Sequence, residues 1–327
     1  MITTSHRLAF GAVVASAITA ALLAPAFTAD DYPNRPVTIV VPFPPGASND
    51  LLGRYEADVL QRALHGTFIV ENKPGAGGDI GISFAAKAEP DGYTLLHAPS
   101  IITLLPYAMK SISYNLARDF QPVTLVGLTK FVLVVSPTLP VNSVKDLIAL
   151  AKSQPDTLTY ASVGNGSPHQ IFAEQFKMAT GLQIRHIPYK GSVPGLTDVA
   201  SGNVSMEFVD LTPALPLIQA GKLKLLAVLS NTRDPDMPDV PSLAETVPGY
   251  DAKSWQGFFA HSGTPRAIVD KLNAALVADL KLPETAKKFD ALGIVAQWGT
   301  PEEFGTFITE QSAKWGKVIK AAGIQAE

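Results

Sequence analysis

The 327-residue chain carries a formal net charge of −3, no cysteine and 46% apolar residues. That balance excludes the basic footprint of a nucleic-acid binder and any polybasic membrane patch, and it leaves no disulfide or lipid-modified cysteine to form. Ligand and partners must therefore be recognised locally.

From its start, the chain shows a short basic head at His6 and Arg7, an apolar Ala-rich run from Leu8 to Leu23, and Ala24-Pro25-Ala26. This is the layout of a signal peptide over 1–26, cleaved near Ala26, with a retained N-terminal anchor as the alternative reading. The run is short for a membrane span, and nothing later reaches spanning length. Cleavage removes Arg7, shifting the charge to −4, and leaves about 300 residues. Such a length exceeds what one core usually takes, so two domains are expected.

Val37–Val41 is almost unbroken β-branched chain and reads as a strand buried on both faces. The loop from Pro42 to Asp50 follows, and Leu51, Leu52, Tyr55, Val59 and Leu60 then recur at helical spacing. The helix should begin near Ser48 or Asn49, both good caps. A loop so placed, at the carboxyl end of a strand and the start of a helix, can hold an anion without Lys or Arg. On this segment alone an ordinary strand-to-helix turn is equally compatible.

Strands are expected at 67–71 and 93–97, with a helix between them through Ile82, Phe84, Ala85 and Ala88. The glycines of the 72–78 loop do not complete a dinucleotide fingerprint, because Ile80 stands where its last Gly should be. Strands at 123–126 and 131–135 precede a helix over 143–153, and a strand at 158–161 leads into Ser162-Val163-Gly164-Asn165-Gly166-Ser167-Pro168-His169. That is a second Gly-rich, hydroxyl-bearing loop meeting a helix start, with Pro168 in a favoured first-turn position. Further strands are expected at 184–188, 206–209 ending at Asp210, and 223–229, followed by a surface loop over 231–248. A strand at 255–260 and helices at 265–280, 284–292 and 301–321 close the chain, which contains no repeat. The last helix bears Phe304, Phe307, Ile308, Trp315, Val318 and Ile319 at three-to-four spacing, a core face more readily than a partner site. The alternation of strand and helix argues for mostly parallel sheets covered by helices, with ligands at the strand carboxyl ends where these loops collect.

Catalytic signatures are weak. The 164–169 loop is not G-x-S-x-G, and Ser167 and His169, two residues apart across a helix start, would point to different faces. The six histidines show no metal-ligand spacing, so neither a metal nor a cofactor is expected. Asp210 suits a ligand hydrogen bond or a loop brace better than a general base.

Several spaced motifs carry a family resemblance. Tyr32 to Val37, Val41 to Gly46 with Asp50, Val70 to Gly78, Pro90 to Leu96, Tyr160 to Ser162 with Gly164 to His169, and Pro188 to Gly191 resemble Bug-type extracytoplasmic solute receptors of tripartite tricarboxylate transporters. The likeness runs in order through essentially the whole mature chain. It implies an α/β fold of two lobes, a type II periplasmic binding protein that closes on a small di-, tri- or aromatic carboxylate in the interlobe cleft. It also implies delivery to the membrane components of the transporter. By resemblance, ligand contacts fall on Phe43, Gly46, Ser48 and Asn49; Ala98 and Ser100; Ser162, Gly166, Ser167 and His169; Tyr189 and Gly191; and Asp210. The chain departs from the family at Ala47, where a second Gly is usual; the added methyl group narrows backbone approach there.

Lobe one is expected over 31–126 and 227–327 and lobe two over 127–226, with hinges near Val126 and Ala227. The protein should be a periplasmic monomer without enzymatic activity. Two alternatives remain: a secreted serine hydrolase using Ser167 and Asp210, and a periplasmic sensor that presents the same ligand to a signalling receptor.

Overall fold

The chain changes sheets near its middle, and that change sets the architecture. The computed structural model describes residues 31–46 and 48–325. The segment read as a signal peptide and the cleft candidate Ala47 lie outside the described residues.

The first part runs β1 (Val37–Val41), α1 (Ser48–Leu64), β2 (Phe68–Asn72), α2 (Asp79–Ala85), β3 (Thr94–Pro99), α3 (Ile101–Ala108), α4 (Leu116–Asp119) and β4 (Phe120–Thr129). The middle part runs β5 (Phe131–Val135), α5 (Val144–Ser153), β6 (Thr159–Ser162), α6 (Pro168–Thr180), β7 (Arg185–Pro188), α7 (Ser192–Ser201), β8 (Met206–Asp210), α8 (Leu211–Gln219) and β9 (Lys224–Val228). The last part runs β10 (Ser254–His261), α9 (Arg266–Leu280), α10 (Pro283–Asp290), β11 (Ile294–Ala296) and α11 (Pro301–Ala321).

One sheet has the order β11-β4-β10-β3-β1-β2 and the other β7-β6-β8-β5-β9. Each is covered on both faces. In the first sheet, Ile39, Leu95 and Phe258 pack with Leu60 and Leu276 on one side, and Val40, Leu96 and Phe259 with Ile82 and Phe304 on the other. In the second, Leu133 and Phe208 meet Phe172 and Phe176, while Val132 and Val209 meet Leu196 and Val199. Two sheets with separate cores make two lobes.

The sheets are mixed rather than mostly parallel: among the described residues, four of the nine strand pairs are parallel. The cause is the crossing itself. β5 and β10, each the first strand after a change of sheet, run antiparallel to both of their neighbours.

The first crossover is the single residue Lys130, between β4 and β5, and the return lies between Val228 and Ser254. Lys130 is pinned by charge, with its Nζ 2.5 Å from Asp236, 3.3 Å from Asp234 and 3.5 Å from Asp290. The 231–248 stretch, expected as surface loop, instead buries Leu243 and Val247 in the second sheet's core and forms a short turn of helix at Leu243–Glu245.

Helix α11 serves both lobes. Phe304 and Ile308 pack on the first sheet, whereas Trp315 and Ile319 sit in the core of the second, with the Trp315 and Phe172 rings 5.1 Å apart.

Candidate functional site

Four helices begin at one cleft of about 580 Å³ between the lobes. Asn49 in the first turn of α1 and Ile101 at the start of α3 face it from the first lobe; Pro168 and His169 of α6 and Asp210 at the cap of α8 face it from the second. Each helix start brings amides without intrahelical partners and the positive end of its dipole. None of the lining residues is Lys or Arg.

The first-lobe loop is braced from beneath. Asp50, 2% exposed, takes hydrogen bonds from the Gly46 amide at 2.9 Å, Asn72 Nδ2 at 2.9 Å and Arg54 Nε at 3.0 Å. Burial alone would raise its carboxyl pKa, but these partners hold it below the ordinary carboxylate value. Asn72 Nδ2 also donates to the Phe43 carbonyl at 3.0 Å. On the neighbouring α2, a Cβ on Gly81 would lie 2.7 Å from the Lys73 carbonyl oxygen, so only glycine lets that helix seat against the loop.

The second-lobe loop turns at Gly164, whose φ of +119° favours glycine. Ser167 caps α6: its Oγ accepts from the Gln170 amide and donates to the Gly164 carbonyl at 2.7 Å. The Gly166 amide is taken by Gln170 Oε1 at 2.7 Å.

His169 is the cleft's cationic group. Its Nδ1 lies 3.1 Å from Glu207 Oε1 and its Nε2 3.1 Å from Asp210 Oδ2. Burial by itself would push the imidazole pKa down, but the hydrogen bonds to Asp210 and Glu207 and their charges hold it up at about 9. The imidazolium therefore donates to both carboxylates at neutral pH. Burial pushes the Glu207 carboxyl up against the pull of His169, and the Asp210 charge adds to the rise.

Of the residues expected at the site, Phe43, Asn49, Ser167, His169 and Asp210 line the cleft together. The remaining described ones do not line it. Gly46 and Ser48 are exposed on their loop. Ala98 and Ser100 are buried in and just after β3, with Ser100 Oγ 3.1 Å from Ser254 Oγ. Ser162 is buried with its Oγ 2.6 Å from His186 Nε2, and Gly166 is buried beside Gln170. Tyr189 donates its hydroxyl to Asp198 at 2.5 Å, and Gly191 caps α7. Ser167 and His169 make no hydrogen bond to each other among the described residues; each is engaged elsewhere, so no nucleophile–base pair is assembled.

Sequence reasoning missed Ala76 and Gly77, the apolar wall of Ile101, Leu105, Met109 and Phe131, and the polar pair Ser254 and Gln256. The pair did leave a signal: two polar residues spaced by two, at the head of a strand whose next four residues, Gly257 to Ala260, are apolar and buried.

The described residues contain no group of His, Asp and Glu placed to hold a metal, and none of their helices is long and apolar enough to cross a membrane.

Comparison with known proteins identifies the family. Residues 52–324 match the tripartite tricarboxylate transporter family receptor. The chain is similar to BugT of Bordetella pertussis, at 36% identity over 315 residues that cover 95% of this chain and 97% of that protein. Among solved structures it resembles R. palustris Rpa4515 with adipate, at 36% identity and a TM-score of 0.81, over 90% of this chain and 99% of that one. It also resembles the periplasmic binding protein BugD, at 32% identity and a TM-score of 0.76 over 90% and 100%. A third is MatC from Rhodopseudomonas palustris with bound malate, at 28% identity and a TM-score of 0.75 over 88% and 100%.

Proposed function

This chain belongs to the tripartite tricarboxylate transporter receptor family, and we propose that it captures a small organic carboxylate between its lobes and delivers it to the membrane components of such a transporter. It is a solute-binding receptor and not an enzyme, as its relatives are. The observation that carries the ligand reading is the convergence of four helix starts, two from each lobe, on a cleft lined by no Lys or Arg. A carboxylate there is met by amide donors and dipole ends from both sides, and charge-assisted hydrogen bonds are worth about 1.5–3 kcal/mol apiece. The adipate and malate held by Rpa4515 and MatC fit the same chemistry.

In this reading Phe43, Asn49, Ser167, His169 and Asp210 form the inner wall, and Gly46, Ala47, Ser48, Ala98, Ser100, Ser162, Gly166, Tyr189 and Gly191 form or support the loops around them. The expected bounds of 127–226 for lobe two, with hinges near Val126 and Ala227, shift in this reading. Residues 127–129 belong to β4 of the first sheet and Ala227 to β9 of the second. We therefore take lobe two from Phe131 to about Ala252, with hinges at Lys130 and at the return before Ser254. The protein works as a periplasmic monomer after loss of residues 1–26. Rigid-body closure about the hinges completes the contacts, so ligand shifts the population toward the closed form.

Calorimetry against di-, tri- and aromatic carboxylates, with small-angle scattering of free and saturated protein, tests the proposal. Binding with a smaller radius of gyration is expected. Absence of binding to every acid tried, or an unchanged radius on saturation, would overturn the capture or the closure respectively.

A further inference from the structure

Asp210 occupies the cap position of α8, where an aspartate ordinarily accepts a first-turn amide, yet it makes no such bond. Its Oδ2 turns to His169, its side chain stays 31% exposed on the cleft wall, and its second oxygen takes no hydrogen bond within the described residues. Across the cleft stands Gln256, 5% exposed. Its Nε2 donates to Thr129 Oγ1 at 3.1 Å, and its Oε1 is buried without a partner among the described residues. The two residues belong to different lobes and face the same cleft.

A bare carboxylate cannot satisfy this wall. An amide can turn either end toward a ligand, but carboxylate oxygens only accept. A ligand carboxylate placed against Asp210 would be repelled, and the His169 imidazolium is already shared between Asp210 and Glu207. A hydroxyl or an ammonium group would instead be received by Asp210, and would give the buried Gln256 oxygen the partner it lacks.

Building on the carboxylate-receptor reading, we propose that the ligand bears a hydrogen-bond donor, a hydroxyl or a protonated amine, on the carbon chain beside its carboxylate. That donor is received jointly by Asp210 of one lobe and Gln256 of the other. The pair then selects hydroxy- and amino-carboxylates over unsubstituted acids.

The test measures dissociation constants for two matched sets: succinate, malate and aspartate, and adipate, 2-hydroxyadipate and 2-aminoadipate. In at least one set the donor-bearing acid should bind the unaltered protein at least tenfold more tightly than its parent, and this comparison needs no variant. Gln256→Met and Asp210→Ala should each reduce that preference to within about twofold. Asp210→Asn, which keeps an acceptor but not the charge, should erase a preference for the amino acid and spare one for the hydroxy acid. Parent acids that bind as tightly as their substituted partners, or a preference that survives both Gln256→Met and Asp210→Ala, would overturn the inference while leaving carboxylate capture standing. If none of the six acids binds, the carboxylate reading fails and the inference falls with it.

Discussion

Each lobe buries a histidine against a glutamate, and the two pairs are placed differently. In the first lobe His97 Nδ1 lies 2.8 Å from Glu56 Oε1; both side chains are fully buried, and His97 Nε2 and Glu56 Oε2 have no further partner among the described residues. In the second, His169 and Glu207 are almost as enclosed, but the other ring nitrogen reaches Asp210 at the cleft wall. The chemistry is the same and the placement differs. His97 lies within β3, paired to Phe258 of β10, so its ring is sealed between sheet and helix. His169 lies in the first turn of α6, at the mouth of a strand-to-helix loop. A buried histidine–glutamate pair reaches the cleft when the histidine opens a helix, as His169 does, and stays enclosed when the histidine lies mid-strand, as His97 does.

The sharpest way to break that comparison is to remove one partner of the sealed pair. Glu56→Ala leaves His97 Nδ1 without its Glu56 partner and should cost about 1–3 kcal/mol or more of unfolding free energy by urea titration. Ligand affinity of the folded fraction should stay within about twofold. A large loss of affinity would show that the two pairs are coupled.

The open pair should announce itself in the pH dependence of stability. The folded-state pKa of His169 is raised from 6.5 to about 9, so its stabilising contribution is complete below about pH 6.5 and is lost as pH rises through 9. A shift of that size corresponds to about 3 kcal/mol. Glu207, also raised, contributes in the same direction at lower pH. Unfolding free energy of the unaltered protein should fall across this window, and in His169→Gln the part of that fall due to the imidazole should be lost, leaving a shallower slope. Equal slopes in the two proteins would contradict an imidazolium at His169.

Much of the fold was legible because the buried strands are runs of β-branched residues bounded by turn chemistry, as at Val37–Val41 and Phe131–Val135. Helices α3 and α8 were not: each starts directly at a strand end and carries an internal proline, Pro106 or Pro216, which suppresses the helical pattern. The burial of Leu243 and Val247 depends on contacts distant in sequence, so no local period announces it. At the site, the loops and their helix starts could be read, because glycine, serine and proline mark them. The walls could not. Leu105, Met109 and Phe131 are apolar residues whose facing a cleft rather than a core is decided by the meeting of two lobes. The braces were equally hidden, since the Asp50–Asn72 bond joins residues 22 apart.

A smaller effect tests the loop that carries the open pair. Ser167 spans the cap of α6, accepting from the Gln170 amide while donating to Gly164. Ser167→Ala should lower stability by about 1 kcal/mol, as cap removal does, readable in a denaturant midpoint. A cost near zero would mean that the loop holds itself.

The smallest expected effect is that of salt. With helix starts rather than Lys or Arg around the cleft, ligand affinity should change less than about twofold between 50 and 500 mM sodium chloride, since enclosed charges are poorly screened. A tenfold loss would place a surface cation in the binding step.

Helix α11 has a consequence in time as well as in space. One core of each lobe is incomplete until it packs, because Phe304 closes one and Trp315 the other. Until α11 packs, the chain holds two unfinished halves, each exposing apolar surface that this one helix covers. Folding of both lobes thus waits on α11, which joins the halves at the moment it finishes them. A chain truncated before Pro301 should show both lobes loosened in hydrogen exchange; protection retained in either would break that dependence.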